Sequence, residues 1–310
     1  MVMAYENTVL LIDKTTGVTS FDTVSVVKRL IGQKKIGHCG TLDLFASGLL
    51  VLCTGYATKL VQHLMESSKT YRAVIAFGRQ TDTDDALGKE ISVGSFVGID
   101  VGDIRQVASN FLGEQMQQPP VFSALKINGR RASDLARSGK AAALAPRRVF
   151  INEIALRSYA PETGLLEIDV TCSKGTYIRA LARDIGERLG CKAYCAELRR
   201  LACGELSVND AVTTDELAAD INGVDTTKEF CLSPSRALVG YGRVVLNGIG
   251  ERRALNGGIF AKEDVIEMRH GNKGGYIIFD EKENLIAIAN IDIETWQIKY
   301  FNVFNNSQRV

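Results

Sequence analysis

Residues 37–48, Gly-His-Cys-Gly-Thr-Leu-Asp-Leu-Phe-Ala-Ser-Gly, cannot extend either of the elements beside them. Three glycines and two hydroxyl residues fall within twelve positions, a composition that breaks helix and strand alike. Before this segment, residues 8–13 (TVLLID) read as a short buried strand. Ser20 is then placed to cap a helix whose apolar positions Phe21, Val24, Val27, Leu30 and Ile31 recur at helical spacing until Gly32 stops it. After the segment comes the apolar run Leu49-Leu50-Val51-Leu52-Cys53. The order is strand, helix, loop, strand, and the loop holds a single ionisable acid, Asp43.

Strands and helices go on alternating irregularly. Residues 70–77 put Tyr71, Ala73, Ile75 and Phe77 on one strand face, and 165–172 alternate as a half-buried strand does. A helix starts near Thr176, with the apolar stripe Ile178, Leu181, Ala182, Ile185 and Leu189, and closes at Gly190. Residues 241–310 carry short alternating runs such as Tyr276–Phe279 and Leu285–Ile288, which read as a small, separate, mostly β module. The length of 310 residues suits two domains of this kind.

Net charge is +1 and conceals an uneven distribution. Residues 121–148 hold seven Lys or Arg and one Asp, while 205–230 hold seven carboxylates and one Lys. The longest apolar stretch is far short of the roughly 20 residues that a membrane helix needs. No basic segment followed by an apolar one opens the chain. Seven cysteines form no dense framework, and His38, His63 and His270 are scattered. The expectation is a cytoplasmic protein with reduced thiols and no metal site.

Asp43 admits three readings. It caps a turn, as an isolated loop aspartate commonly does. It belongs to a phosphate cradle, although the loop lacks both the Gly-Lys-Ser/Thr ending and the Gly-x-Gly-x-x-Gly opening. Or it is a lone carboxylate nucleophile, which requires a nearby cation to stay ionised.

Gly37-His38-Cys39-Gly40-Thr41-Leu42-Asp43 with Ala46-Ser47-Gly48 resembles the GHxGxLDPxAxG signature of TruB-type tRNA pseudouridine synthases. Five further elements follow the family's order. Asp13-Lys14 with Gly17-Val18-Thr19-Ser20 resembles its DKPxGxTS element, and Lys69-Thr70-Tyr71-Arg72 its KxY motif. Ser123-Ala124-Leu125-Lys126 resembles part of its RNA-gripping insertion. Ser173–Arg179 (SKGTYIR) is similar to its arginine motif, and Leu198-Arg199-Arg200 to its late leucine motif.

The resemblance implies a mixed α/β (α+β) catalytic domain over 1–240, built on an antiparallel-rich central sheet, with the insertion at about 119–150. A small β-barrel, PUA-like RNA-binding domain is expected over 241–310. It implies isomerisation of uridine to pseudouridine at position 55 of the tRNA T loop, after base flipping, without cofactor, guide RNA or protein partner, by a monomer. By the same carry-over Asp43 is the nucleophile, whether it attacks C1′ first or begins as a base. Arg179 pairs with it, against the plain reading of a solvated helix arginine. Tyr71 stacks on the uracil and helps move the C5 proton, against the reading of a core aromatic, and Leu198 completes the clamp. His38 fills the place the uridine vacates. Lys14 supports the floor of the site, against the reading of a solvated strand-end lysine. Lys126, Arg130, Arg131 and Arg137 are expected to contact phosphates.

The chain departs from the family pattern in four places. Leu44 and Thr15 stand where proline is usual, Phe122 where tyrosine is, and Ala132-Ser133 where Leu-Tyr is common. Losing two prolines leaves loops less pre-organised. Two other functions therefore stay open at this point: an RNA-binding or RNA-folding protein with weak or lost catalysis, and the guide-RNA-dependent relative that shares the Asp loop.

Overall fold

Val9–Lys14 forms β1, and its backbone pairs on both sides, with Cys231–Leu232 and with Ser47–Thr54. In this computed structural model, residues 5–304 are described except 124, 128, 139, 141–143 and 224–226, and side chains are not described at 126, 127 and 131. The helix α1 spans Ser20–Ile31 and ends at Gly32, whose φ of 67° only glycine adopts readily. Its N-cap is Thr19 rather than Ser20: the Thr19 side chain accepts the Asp22 N–H. Ser20 is buried one residue inside, where its hydroxyl is free for another task. Phe21, expected on the apolar face, is 76% exposed, and Thr23 is buried with Val27 and Ile31 instead.

The glycine-rich segment is shorter as a loop than its composition suggests. Ile36–His38 (β2) and Ser47–Thr54 (β3) pair antiparallel, Gly37 opposite Cys53 and His38 opposite Leu52. A two-turn 3-10 helix at Gly55–Leu60 then leads into α2 at Val61–Glu66 and β4 at Lys69–Phe77. The short hairpin β5 (Arg79–Thr81) and β6 (Glu90–Val93) follows. The next helix, α3 (Val101–Ser109), opens with a reciprocal cap between Asp100 and Asp103. Strand β7 (Gly113–Gln117) precedes the basic insertion, which contains the hairpin β8 (Lys126–Ile127) and β9 (Arg130–Arg131) and the short α4 (Ala132–Arg137). A long hairpin, β10 (Arg147–Ala160) and β11 (Leu165–Cys172), delivers the chain to α5 (Ile178–Leu189) and β12 (Ala193–Cys203). Short elements close this part: β13 (Leu206–Ser207), α6 (Thr214–Ile221), β14 (Cys231–Leu232) and α7 (Pro234–Ala237).

These strands form one sheet in the order β14-β1-β3-β12-β4-β11-β10-β7, with β2 added to β3 and β13 to β12. Among the described residues, every pairing of one of these strands with another is antiparallel except one. Where β3 starts, Ser47 and Gly48 run parallel to Arg199 and Arg200 of β12. The expected mixed, antiparallel-rich sheet is therefore present, and its single parallel seam lies at the end of the Asp43 loop. Gly48 makes that seam possible: its φ is 101°, and a Cβ would lie 2.3 Å from the Arg200 carbonyl oxygen.

Residues from 242 onward form a second sheet, in the order β16 (Val265–Arg269), β15 (Gly242–Leu246), β17 (Tyr276–Phe279), β18 (Leu285–Asp292), β19 (Gln297–Val303). Helix α8 (Gly248–Leu255) crosses it. Among the described residues the pairings run as an open path, without the β16–β19 closure that the expected barrel needs. Both faces are covered by other means. Val244, Ile278, Ile286, Ala254 and Phe260 make a core on the α8 side, while Val245, Ile277, Phe279, Ile288 and Phe304 join the core of the first sheet. Alternation along β17 sends successive side chains to the two cores. A sheet buried on both faces does not have to curl upon itself.

Candidate active site

The Asp43 loop is fixed before its acid is presented. Ser20, released from capping, donates to the Leu42 carbonyl at 3.1 Å and accepts the Leu42 N–H at 2.9 Å. The Ala46 N–H closes a tight turn on the Asp43 carbonyl. Next to the two positions where the family has proline, Thr15 and Leu44, a pair of hydrogen bonds ties the two loops together. Gly17 N–H donates to the Leu44 carbonyl at 2.9 Å, and the Thr16 hydroxyl to the Phe45 carbonyl at 2.8 Å. Below, the buried Arg200 grips both ends of the loop, donating from Nε to the Leu49 carbonyl and from Nη2 to the Gly40 carbonyl.

Arg179, in the first turn of α5, is 3% exposed, so the solvated reading fails. Its Nε and Nη2 donate to the two oxygens of Asp43 at 2.8 and 3.2 Å. Nη1 donates to the Thr83 carbonyl at 2.7 Å and to the Asp85 carboxylate at 3.3 Å, and Nη2 also to the Phe122 carbonyl at 3.0 Å. A planar fork engaged on every side has one orientation, and it sets the rotamer of Asp43 in turn. Asp43 itself stays 40% exposed. One turn further along α5, Arg183 pairs with Asp84 at 2.9 Å; burial raises the Asp84 carboxyl above its usual range, with Arg183 opposing. Asp84 and Asp85 were not foreseen. The signal available was the acid cluster Asp82, Asp84, Asp85 placed in a turn after a strand.

A cavity of about 300 Å³ opens above Asp43, walled by Tyr71, Leu198, Ile178, Lys69 and Arg200. Tyr71 on β4 faces Arg200 on β12 in register, and Leu198 lies two residues along, on the same face. Burial raises the Tyr71 phenol above its usual value, with Arg200 pulling the other way, so the hydroxyl is protonated at neutral pH. Tyr71 is half-buried, neither a core aromatic nor a surface one.

Three further cations lie beneath. Lys14 is 1% exposed and donates to the carbonyls of Thr15 and Val18 at 2.9 and 2.7 Å. Burial pushes its ammonium down to about 8, the Asp43 carboxylate acting against that shift and Arg200 adding to it. Lys69 donates to the carbonyls of Met65 and Ser67 and is likewise lowered by burial. Arg199 ties β12 to β1 through Asp13 at 2.6 Å. Buried Lys14, Lys69, Arg179 and Arg200 outnumber Asp43 and Asp85, which leaves the cavity floor positive and suited to an anionic polymer.

His38 sits on β2 beside this cavity, half-buried, one residue before its wall begins at Cys39. Burial, with Arg200 adding to it, lowers its pKa and keeps the ring neutral. Its Nδ1 is enclosed without a hydrogen-bond partner among the described residues. Arg130 and Arg137 are exposed on the insertion, Arg137 facing Asp134 at 3.6 Å, while the side chains of Lys126 and Arg131 lie outside the described residues. The insertion's root is tied to α5: Gln117 and Tyr177 exchange two hydrogen bonds at 3.0 and 2.8 Å, and Arg183 donates to the Gln118 carbonyl. Among the described residues, no cluster of His, Cys, Asp and Glu could hold a metal.

A mixed sheet thus presents one carboxylate, clamped by a buried guanidinium under an aromatic-walled cavity. Residues 28–178 match the family described as TruB family pseudouridylate synthase (N terminal domain), and 179–238 match the tRNA pseudouridylate synthase B C-terminal domain. The chain is 37% identical over 287 residues to tRNA pseudouridine synthase B of Bacillus subtilis (strain 168), covering 91% of this chain and 92% of that one. It is 40% identical over 256 residues to the protein of the same name from Geotalea uraniireducens (strain Rf4), covering 82% and 81%. Among solved structures, a Cbf5–Nop10–Gar1 complex shares the fold at a TM-score of 0.73 and 24% identity, covering 98% of this chain and 85% of that one. The chain belongs to the TruB family, and is a pseudouridylate synthase, an isomerase.

Proposed function

We propose that this enzyme converts the uridine at position 55 of the tRNA T loop to pseudouridine, with Asp43 as its nucleophile. The observation that carries this reading is the two-pronged grip of Arg179 on Asp43 directly below a cavity walled by Tyr71 and Leu198. About 300 Å³ lies at the small end of ligand sites and suits one extruded nucleotide.

In the reaction, the bond from ribose C1′ to uracil N1 breaks, the base turns, and a bond from C1′ to C5 forms. The proton on C5 leaves and N1 gains one, so composition and oxidation state are unchanged and no cofactor is called for. Arg179 holds the Asp43 carboxylate aimed at the sugar. Tyr71 and Leu198 confine the freed base between an aromatic face and an apolar one. Tyr71, protonated beside Arg200, is placed to relay the C5 proton. His38 takes the space left in the RNA loop. Arg130 and Arg137, with Lys126 and Arg131, contact the T-stem phosphates from the insertion, whose basic charge suits recognition by shape and backbone.

The catalytic unit spans 1–240 and the PUA-like unit 241–310, which docks on the first and extends the RNA surface. The enzyme works in the cytoplasm as a monomer, on bare tRNA without guide RNA. Unmodified tRNA transcript carrying 5-tritiated uridine tests this: tritium release with the modified position mapped to the T loop is expected. Tight binding without release would instead favour an RNA-folding protein, and release only with added guide RNA the guide-dependent alternative.

A further inference from the structure

Arg179, Arg183 and Arg199, the other arginines at this site, each face a carboxylate: Asp43 and Asp85, Asp84, and Asp13 in turn. Arg200 does not. It is 2% exposed, and among the described residues its guanidinium bonds only carbonyls, from Nε to Leu49 at 2.6 Å and from Nη2 to Gly40 at 3.0 Å. Burying a guanidinium without a counter-ion is costly, and carbonyl dipoles offset only part of that cost. A cation fixed in this state is ready for an anion that is present only during turnover. We infer, on the uridine reading proposed above, that Arg200 is a catalytic residue whose guanidinium stabilises the negative charge that collects on the uracil while the base is detached from the ribose.

The charge follows from the bond changes. When C1′–N1 breaks, its electron pair stays with the base, and the uracil departs as an anion with charge spread over N1, O2 and O4. This holds whether Asp43 bonds to C1′ or first removes a ribose proton. The charge is spent when C5 gives an electron pair to C1′; loss of the C5 proton and gain of one at N1 then restore a neutral base. Between these events the base turns. A fixed cation serves both orientations, because Coulomb attraction does not require one particular base edge. Arg200 itself gives up no proton, since a guanidinium stays charged across the working pH range.

Its position suits this task. Leu198 and Arg200 share one face of β12, and Tyr71 stands opposite Arg200 in register on β4. All three line the Asp43 cavity, so a base confined between Tyr71 and Leu198 lies beside the guanidinium. Nη1 bonds no carbonyl or carboxylate among the described residues. It lies where Gly40 forms the cavity wall, 3.5 Å from the place a Cβ would take on that glycine. The bonds through Nε and Nη2 hold the group in place beforehand, which spares reorganisation when the charge develops. Lys69, the other buried cation in the wall, is turned to the Met65 and Ser67 carbonyls and sits further along β4, opposite Cys203.

The test compares wild type with Arg200→Gln, which removes the charge, and Arg200→Lys, which keeps it. Single-turnover rates are measured on two T-stem-loop RNAs, one with uridine at the target and one with 5-fluorouridine, whose fluorine itself spreads the charge of the departing base. Loss of the N-glycoside is read for both by nuclease digestion and chromatography. Arg200→Gln should be about 100-fold slower than wild type with uridine, as for one lost anion-stabilising donor, and only about tenfold slower with 5-fluorouridine. Arg200→Lys should lose less than Arg200→Gln with uridine. A grip on the Asp43 loop alone would slow both RNAs by the same factor, and that result overturns the inference. Urea midpoints show whether the variants fold, and wild type carries an independent test if they do not. RNA with a C-riboside of barbituric acid at the target presents a base that is anionic at neutral pH and has no N-glycosidic bond to break. Wild type should bind it at least about tenfold tighter than the same RNA carrying pseudouridine. Equal or weaker binding means that the cavity does not favour a base anion, and the inference is wrong. If wild type leaves the uridine RNA unchanged, the proposed function fails and the role of Arg200 with it.

Discussion

Arg179 donates to both carboxylate oxygens of Asp43 while a second carboxylate, Asp85, meets it from the opposite side. One buried guanidinium therefore couples the Asp43 loop to the acidic turn at 82–88, and its Phe122 bond couples both to the insertion that is proposed to grip RNA.

Replacing Arg179 by lysine keeps the charge but loses the fork. The ammonium cannot serve Asp43, Asp85 and two carbonyls together. The expected loss in single-turnover isomerisation is at least 100-fold. Stability should fall by about 1–3 kcal/mol, as for buried acceptors that lose their donor. Rapid-quench kinetics and urea unfolding measure the two effects.

Asp85→Asn removes the second anchor without touching the cavity. Arg179 keeps Asp43 but loses its fixed angle. We expect a 10- to 100-fold lower rate with RNA affinity within a factor of three of wild type, read by rapid quench and filter binding. An equal fall in affinity would place Asp85 in RNA binding instead.

Gly48→Ala and Gly17→Ala separate contact from conformation. Both glycines have positive φ, at 101° and 78°, yet only Gly48 has backbone in the way, at 2.3 Å, while a Cβ at Gly17 meets nothing within 4 Å. Gly17→Ala should cost about 1 kcal/mol of backbone strain. Gly48→Ala should cost about 3 kcal/mol or more and abolish activity, since it forces β3 from β12 at the seam. Urea midpoints decide between them.

Lys14 predicts a pH effect with a defined sign. Burial lowers its pKa from the usual 10.5 to about 8, so between these values the unfolded chain binds more protons than the folded one. Stability from this group therefore rises with pH across that window, by roughly 1–3 kcal/mol. The comparison with Lys14→Met isolates it: the wild-type gain relative to the variant between pH 8 and 10.5 should be visible in urea unfolding. Isomerisation by wild type should decline over the same range as the positive floor beneath Asp43 is lost.

If Arg130 and Arg137 contact phosphates, each alanine variant should flatten the log–log salt dependence of RNA binding by about 0.7–0.9. Turnover at saturating RNA should be unchanged. A variant that weakens binding with an unchanged slope would make its arginine a structural residue.

Much of the site is readable in sequence because its motifs are local. The Asp43 loop, the Tyr71 strand and the start of α5 each declare themselves within a dozen residues. What joins them does not. Asp85 is 94 residues from Arg179, and nothing in the 82–88 turn announces its partner. A hydroxyl before an apolar helix usually caps it, which points to Ser20; Thr19 takes that position, and Ser20 is diverted to Leu42 by packing. The parallel seam at Gly48 depends on strand order, which alternation patterns do not encode. The resemblance of residues 241–310 to the family's PUA module implies a barrel, which their short alternating runs do not specify. The cover supplied by the first sheet's core cannot be seen from residues 241–310 alone.

The central claim is that Asp43 carries out the chemistry and does not merely shape the loop. Tritium release from 5-tritiated tRNA by Asp43→Asn, measured beside its RNA affinity, tests it directly, since asparagine can keep a hydrogen bond to Arg179 but cannot act as a carboxylate nucleophile. With Asp43 as the nucleophile, no detectable release is expected, with affinity within a few-fold of wild type. Turnover by Asp43→Asn within tenfold of wild type would contradict it.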